Sequence, residues 1–141
     1  MTTTTAGRAV DRLLRDHRDL DLDDLAAELD RRRRVAGIRH LMEVWDLSLA
    51  DVATMFGVSR QAVSKWVAVG VPAERAPAMA DLAAATDLLV RHLRRDRIPA
   101  VVRRAAPALG DRSLLALAAD GRAAEVLAAT RSMFAFERAN G

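Results

Sequence analysis

The sequence contains no cysteine. That one absence excludes disulfides, thiolate zinc sites, iron–sulfur clusters and cysteine nucleophiles together. Tyrosine is also absent and aromatic residues are only 4% of the chain, so the core has to come from aliphatic side chains. Lysine occurs once, at Lys65, and every other basic residue is arginine. Almost nothing therefore titrates between neutrality and the arginine range, which is how a net charge of only +3 goes with a pI of 10.8. No apolar run approaches the roughly 18 residues that would suggest a membrane span, so an integral membrane protein is not expected. The threonine tract Met1 to Ala6 has none of the apolar character of a secretory signal, and a cytoplasmic location is expected.

The length of 141 residues suits one compact domain or two very small ones, and is too short for a multidomain enzyme. Charge is segregated along it. The stretch Asp19 to Asp30 carries only acids, Arg31 to Arg34 is four consecutive arginines, and Arg91 to Arg104 sets six arginines against Asp96. Such blocks create local fields even where the total is small.

Abundant alanine and leucine, with no alternating apolar and polar runs, predict an all-α protein. A first helix is expected from about Ala6 to His17. A second begins after Asp21, where Asp23 and Asp24 suit the positive end of a helix and Leu22, Leu25 and Leu29 share a face. Val35, Ile38, Leu41, Met42 and Trp45 continue a helical stripe, with Gly37 the place for a kink or a break. Ser48 and Asp51 form a capping signature for a short helix that Gly57 ends. Ser59 caps the next, with Val63, Trp66 and Val67 inward, and Gly70 with Pro72 stops it. Pro77 falls in the first turn of a longer helix reaching about Arg95, its stripe being Met79, Leu82, Ala83, Thr86, Leu89, Val90 and Leu93. Short helices are expected over 99–106, 113–120 and 123–138. The expected organisation is an N-terminal helical extension (1–34), a helix-turn-helix domain (35–95) and a small C-terminal helical domain for dimerisation or partner binding (96–141).

The most informative stretch is LADVATMFGVSRQAVSKW, Leu49 to Trp66. Two helices crossing steeply need a small residue at the contact, supplied by Ala53, and a residue able to turn left-handed between them, supplied by Gly57. Arg60, Gln61, Ser64 and Lys65 then lie on the outward side of the second helix, where base edges would be met in a major groove. Ser48, Ser59 and Arg75 complete the candidate DNA-binding set. Corners of this kind also occur in proteins that never touch DNA.

The segment GVSRQAVSKWVAVGVPAER resembles the second half of the DNA-binding domain of Xre and Cro-like phage-repressor regulators. That resemblance implies a lambda-repressor-like fold. The segment IPAVVRRAAPALGDRSLLALAADGRAAEVLAA, Ile98 to Ala129, is similar to the C-terminal toxin-binding domain of Xre/MbcA/ParS antitoxins. Its matching positions are Pro107, Leu109, Gly110, Leu114, Leu115, Gly121, Val126 and Leu127. Partner binding is accordingly expected at Leu109, Leu114, Leu115, Leu127, Phe134 and Phe136. The apolar tail should pack on the long helix before it, on a second subunit or on a partner protein.

Other constellations carry little chemistry. His17, His40 and His92 are far apart and lack ligand spacing, and Asp21, Asp23 and Asp24 lack the glycine and glutamate of a calcium loop, so no metal is expected. Phosphate-binding glycine loops, serine elbows and paired carboxylates are missing, so neither enzymatic activity nor a cofactor is expected. Arg31 to Arg34 suit either DNA contact or neutralisation by Glu28 and Asp30.

Three readings result. The first is a sequence-specific transcriptional regulator, nucleoid-associated, acting on double-stranded DNA as a homodimer at a palindromic operator. The second is the antitoxin of a type II toxin–antitoxin pair, neutralising a toxin through its C-terminal part and autoregulating its operon. The third is a helical adaptor without nucleic acid.

Overall fold

The computed structural model describes residues 8–9 and 21–140, with residues 136–140 described as helix only. Of the helix expected over 6–17, Arg8 and Ala9 are helical and the rest lies outside the described residues. The chain divides into two compact units, 1–31 and 32–141. Seven α-helices follow between residues 22 and 140 and no strand occurs among the described residues, so the protein is all-α.

Helix α1 spans Leu22–Trp45. It starts where a helix-start acid predicts: the Asp23 amide donates to Asp21 Oδ1 at 3.1 Å. In its first turns Leu22 and Leu29 are exposed and Leu25 is half-buried. The helix does not break at Gly37. A Cβ at that position would lie 3.7 Å from Met79 Cγ, so this side of the helix faces α4, and the helix continues through the glycine. The break comes at Asp46, whose φ of 56° lets the Leu47 amide reach back to the Met42 carbonyl at 2.8 Å.

Helices α2 (Leu49–Phe56) and α3 (Arg60–Val69) follow, then α4 (Ala76–His92). Helix α4 stops short of the expected Arg95 because Leu93 turns extended, φ −122° and ψ 153°. Its buried stripe is Met79, Leu82, Ala85, Thr86 and Leu89, whereas Ala83, Val90 and Leu93 are half-buried. The tail forms α5 (Ile98–Arg103), α6 (Leu114–Ala119) and α7 (Ala123–Asn140). Ser113 caps α6 by accepting the Ala116 amide at 3.0 Å.

One apolar core runs through residues 38–134. It joins Ile38, Leu41 and Trp45 of α1 to Val52, Val63, Leu82 and Leu89, and continues into Ile98, Val102, Leu117 and Val126. Helix α7 packs along α4 and α6 packs on α2, so residues 35–95 and 96–141 share this core and do not build one each. Two polar devices fix its register. The buried Trp45 indole Nε1–H donates to Thr86 Oγ1 at 3.0 Å, and that hydroxyl donates onward to the Leu82 carbonyl at 2.7 Å. Arg103 donates through Nη1 and Nη2 to the Trp45 and Asp46 carbonyls at 2.7 and 2.8 Å, closing the end of α1 from α5.

Candidate nucleic-acid interface and partner surface

The corner between α2 and α3 is built from local chemistry first. Ser48 and Asp51 complete a reciprocal capping box: the Asp51 amide donates to Ser48 Oγ at 3.1 Å and the Ser48 amide to Asp51 Oδ2 at 2.9 Å. The Ser48 backbone N–H, then its hydroxyl, holds the Asp51 carboxyl below its ordinary value, with a smaller contribution from the Arg103 charge. Gly57 ends α2 at φ 65°, a left-handed turn that a side chain would strain. The Val58 amide then closes on the Ala53 carbonyl at 3.0 Å, and Ser59 starts α3 by accepting the Ala62 amide at 3.0 Å.

Val52, Ala53, Val63 and Trp66 are buried where the helices meet, with Phe56 edge-on to Trp66 at 5.5 Å between ring centroids. The opposite side of α3 is open. Arg60, Gln61, Ser64 and Lys65 are all exposed, and no acid stands in the first turn of α3 to neutralise its positive end. The structure thus brings four of the sequence-predicted residues together on one face. Ser48 and Ser59 are exposed at the two helix starts, each already accepting a backbone amide. Arg75 is placed differently. It is half-buried, with its guanidinium carbon 5.4 Å from the Trp66 ring centre and 5.8 Å from that of Phe56, so it lies against the corner's two aromatic rings.

Two arginines of α1 reach targets far away in the chain. Arg39 Nε donates to the Val67 carbonyl at 3.2 Å, and Arg34 Nη1 to the Val71 carbonyl at 3.4 Å. Arg34, within the arginine run, thus reaches a carbonyl beyond the end of α3. Arg31 pairs with Glu28 at 2.6 Å.

The expected partner residues divide. Leu114, Leu127 and Phe134 are 2%, 8% and 3% exposed, so they belong to the core and no partner reaches them without opening the fold. The reason is the packing of α7 on α4 and, for Leu114, of α6 on α2 and α7, which a sequence of apolar residues does not distinguish from an outward face. Leu115 is half-buried beside Asp51 and Thr54, and the Phe136 side chain lies outside the described residues. Leu109 remains available. It lines an apolar groove of about 680 Å³ together with Leu93, Ala106, Ala108, Ala129, Ser132, Met133 and an edge of Phe134. Met133 is 39% exposed on it, and the His92 ring stacks on Phe134 with centroids 4.2 Å apart.

Among the described residues no helix is long and apolar enough to cross a membrane. No family model and no curated protein matches the sequence. A solved structure does: a chain of the crystal structure of the M. tuberculosis MbcT–MbcA toxin–antitoxin complex is similar with a TM-score of 0.58 and 25% sequence identity. The similarity covers 70% of this chain and 91% of that one. It therefore extends over nearly the whole neighbour and supports an antitoxin-like fold.

Proposed function

We propose that this protein is the antitoxin of a type II toxin–antitoxin pair, binding its toxin through the apolar groove at Leu109 and Met133. The observation that carries this reading is the similarity over 91% of a chain from a toxin–antitoxin complex. The groove supports it chemically, because it gathers exposed apolar surface at the end of a rigid α4–α7 pair. The role needs no catalysis by this chain and no cofactor, and it places the protein in the cytoplasm. The test pairs the chain with the product of the neighbouring reading frame. That product should arrest growth when expressed alone, and co-expression should restore growth and yield a stable complex. Ala108→Asp combined with Met133→Asp should abolish the complex while shifting stability by only about 0.5 kcal/mol, as surface changes do. A neighbouring product that is harmless and never associates would refute the antitoxin reading; a complex indifferent to both substitutions would refute the groove.

A second reading is favoured by a separate observation, the exposed Arg60, Gln61, Ser64 and Lys65 on a capped helix of an Xre-like corner. On it the protein binds double-stranded DNA as a homodimer at a palindromic operator, either as autoregulation or as its main role. Arginines supply salt-dependent phosphate affinity and Gln61 supplies base discrimination. Gln61→Ala should reduce preference for operator over random duplex by about 1–3 kcal/mol in competition binding. An unchanged ratio in a folded variant would remove α3 from the groove.

A further inference from the structure

Helix α3 ends in an unusual way. The Gly70 amide donates to the Trp66 carbonyl at 2.7 Å, and Gly70 then adopts φ 102° and ψ 158°, which turns the chain away from the helix axis. The Val67 carbonyl is left without the amide four residues on, since Val71 already lies beyond the end of the helix. No basic residue stands in the last turn of α3 to meet the negative end of its dipole. Both deficits are met from another helix. Arg39 Nε of α1 donates to the Val67 carbonyl at 3.2 Å, and Arg34, five residues earlier on α1, donates to the Val71 carbonyl at 3.4 Å. The two guanidinium groups thus reach either side of Gly70.

We infer that Arg39 is a positioning residue for the recognition helix: it caps the end of α3 from α1 and so fixes the direction in which Ser64 and Lys65 face DNA. A guanidinium suits the task because it stays charged and offers a planar, fixed Nε–H donor, which a flexible ammonium does not. The geometric link stands on hydrogen bonds within the protein; its consequence for DNA rests on the second reading above.

The experiment uses the full chain with Arg39→Gln and Arg39→Lys. Amide hydrogen exchange tests the cap without DNA. In Arg39→Gln, the Val69 and Gly70 amides should exchange roughly five- to tenfold faster than in wild type while α2 amides stay unchanged, with Arg39→Lys intermediate, because a charged-donor hydrogen bond has been removed from one helix end only. Equal exchange rates in Arg39→Gln and wild type would overturn the inference. Binding then tests the consequence, using a duplex enriched by the wild-type protein from a random pool against a scrambled duplex. The affinity ratio of the two should fall roughly fivefold in Arg39→Gln, with the slope of log affinity against log salt unchanged. General loss of folded protein would lower both affinities together and leave that ratio intact. A ratio that holds while the slope falls by about one would make Arg39 a phosphate contact and overturn the positioning role. If wild type enriches no duplex at all, the DNA reading fails and the positioning role fails with it, whereas the exchange rates still decide the cap.

Discussion

Thr86 gives the sharpest test of how the scaffold is held. It is completely buried on α4, accepts the Trp45 indole N–H at 3.0 Å and donates to the Leu82 carbonyl at 2.7 Å. Thr86→Val keeps the shape and removes the hydroxyl. The Leu82 carbonyl loses a second partner, but the buried indole N–H loses its acceptor, which costs about 1–3 kcal/mol. Burying a methyl in place of a hydroxyl returns up to about 1 kcal/mol. The net destabilisation should be about 1–2 kcal/mol in the wild-type background. In Trp45→Phe there is no indole donor to strand, so the same change should be neutral or stabilising by up to about 1 kcal/mol. The cavity left by Trp45→Phe is common to both variants of that background and cancels in the cycle. Urea denaturation of the four proteins measures the coupling, provided the slope m stays constant across them. An equal penalty for Thr86→Val in both backgrounds, within about 0.5 kcal/mol, would refute the reasoning and leave packing alone as the role of Thr86.

Ala53 is 7% exposed where α2 and α3 cross, so Ala53→Leu should overpack the corner, destabilise it by about 1–3 kcal/mol in a thermal or urea melt, and weaken DNA binding in step; wild-type stability would mean the helices do not meet there. Asp51→Asn should cost about 0.5–1 kcal/mol near neutrality by removing a carboxylate from the first turn of α2. The folded-state pKa of Asp51 lies below its ordinary 3.8, so its contribution is complete above that value and is lost as pH falls through the folded pKa. The stability gap between wild type and Asp51→Asn should therefore close below about pH 4 in acid titration, and a gap that widened there would contradict the capping role.

What could be read from the sequence was whatever a few neighbouring residues decide. Ser48 with Asp51, Ser59 and Ser113 each accept an amide three residues on, and Gly57 turns left-handed where two helical stripes meet; all are local chemistry. Misreadings occurred where a distant residue decides. Gly37 permits a break, yet the helix runs through it, on a side where an added Cβ would come within 3.7 Å of Met79 of α4. On α4, Ala85 is fully buried and Ala83 is not, a choice set by which face meets α7 and invisible among so many alanines. The placing of Arg75 over Phe56 and Trp66 likewise depends on the fold, because the rings come from two other helices. Leu114, Leu127 and Phe134 announce themselves as apolar, which a core and a partner surface share; of the three places expected for the apolar tail, the structure shows the first, α7 packed along the long helix α4.

The shared core bears on how DNA and partner binding are to be separated. Helix α4 begins beside the helix-turn-helix at Ala76 and ends beside the groove at His92, and its 17 residues span about 25 Å at 1.5 Å each. Between those ends Leu82, Ala85 and Leu89 are 1%, 0% and 0% exposed, and α7 lies along the same helix. Removing the tail would therefore do more than delete a partner surface. It would strip the cover from α4, expose those side chains and unsettle the Trp45–Thr86 bond that holds α1 in register with them. A truncated chain that failed to bind DNA would report a lost core and say nothing of the tail's own role. Substitutions at exposed positions at opposite ends of the fold, Gln61 on α3 and Met133 on α7, leave that core intact. Their effects should add, and any departure from additivity would measure coupling between the two surfaces.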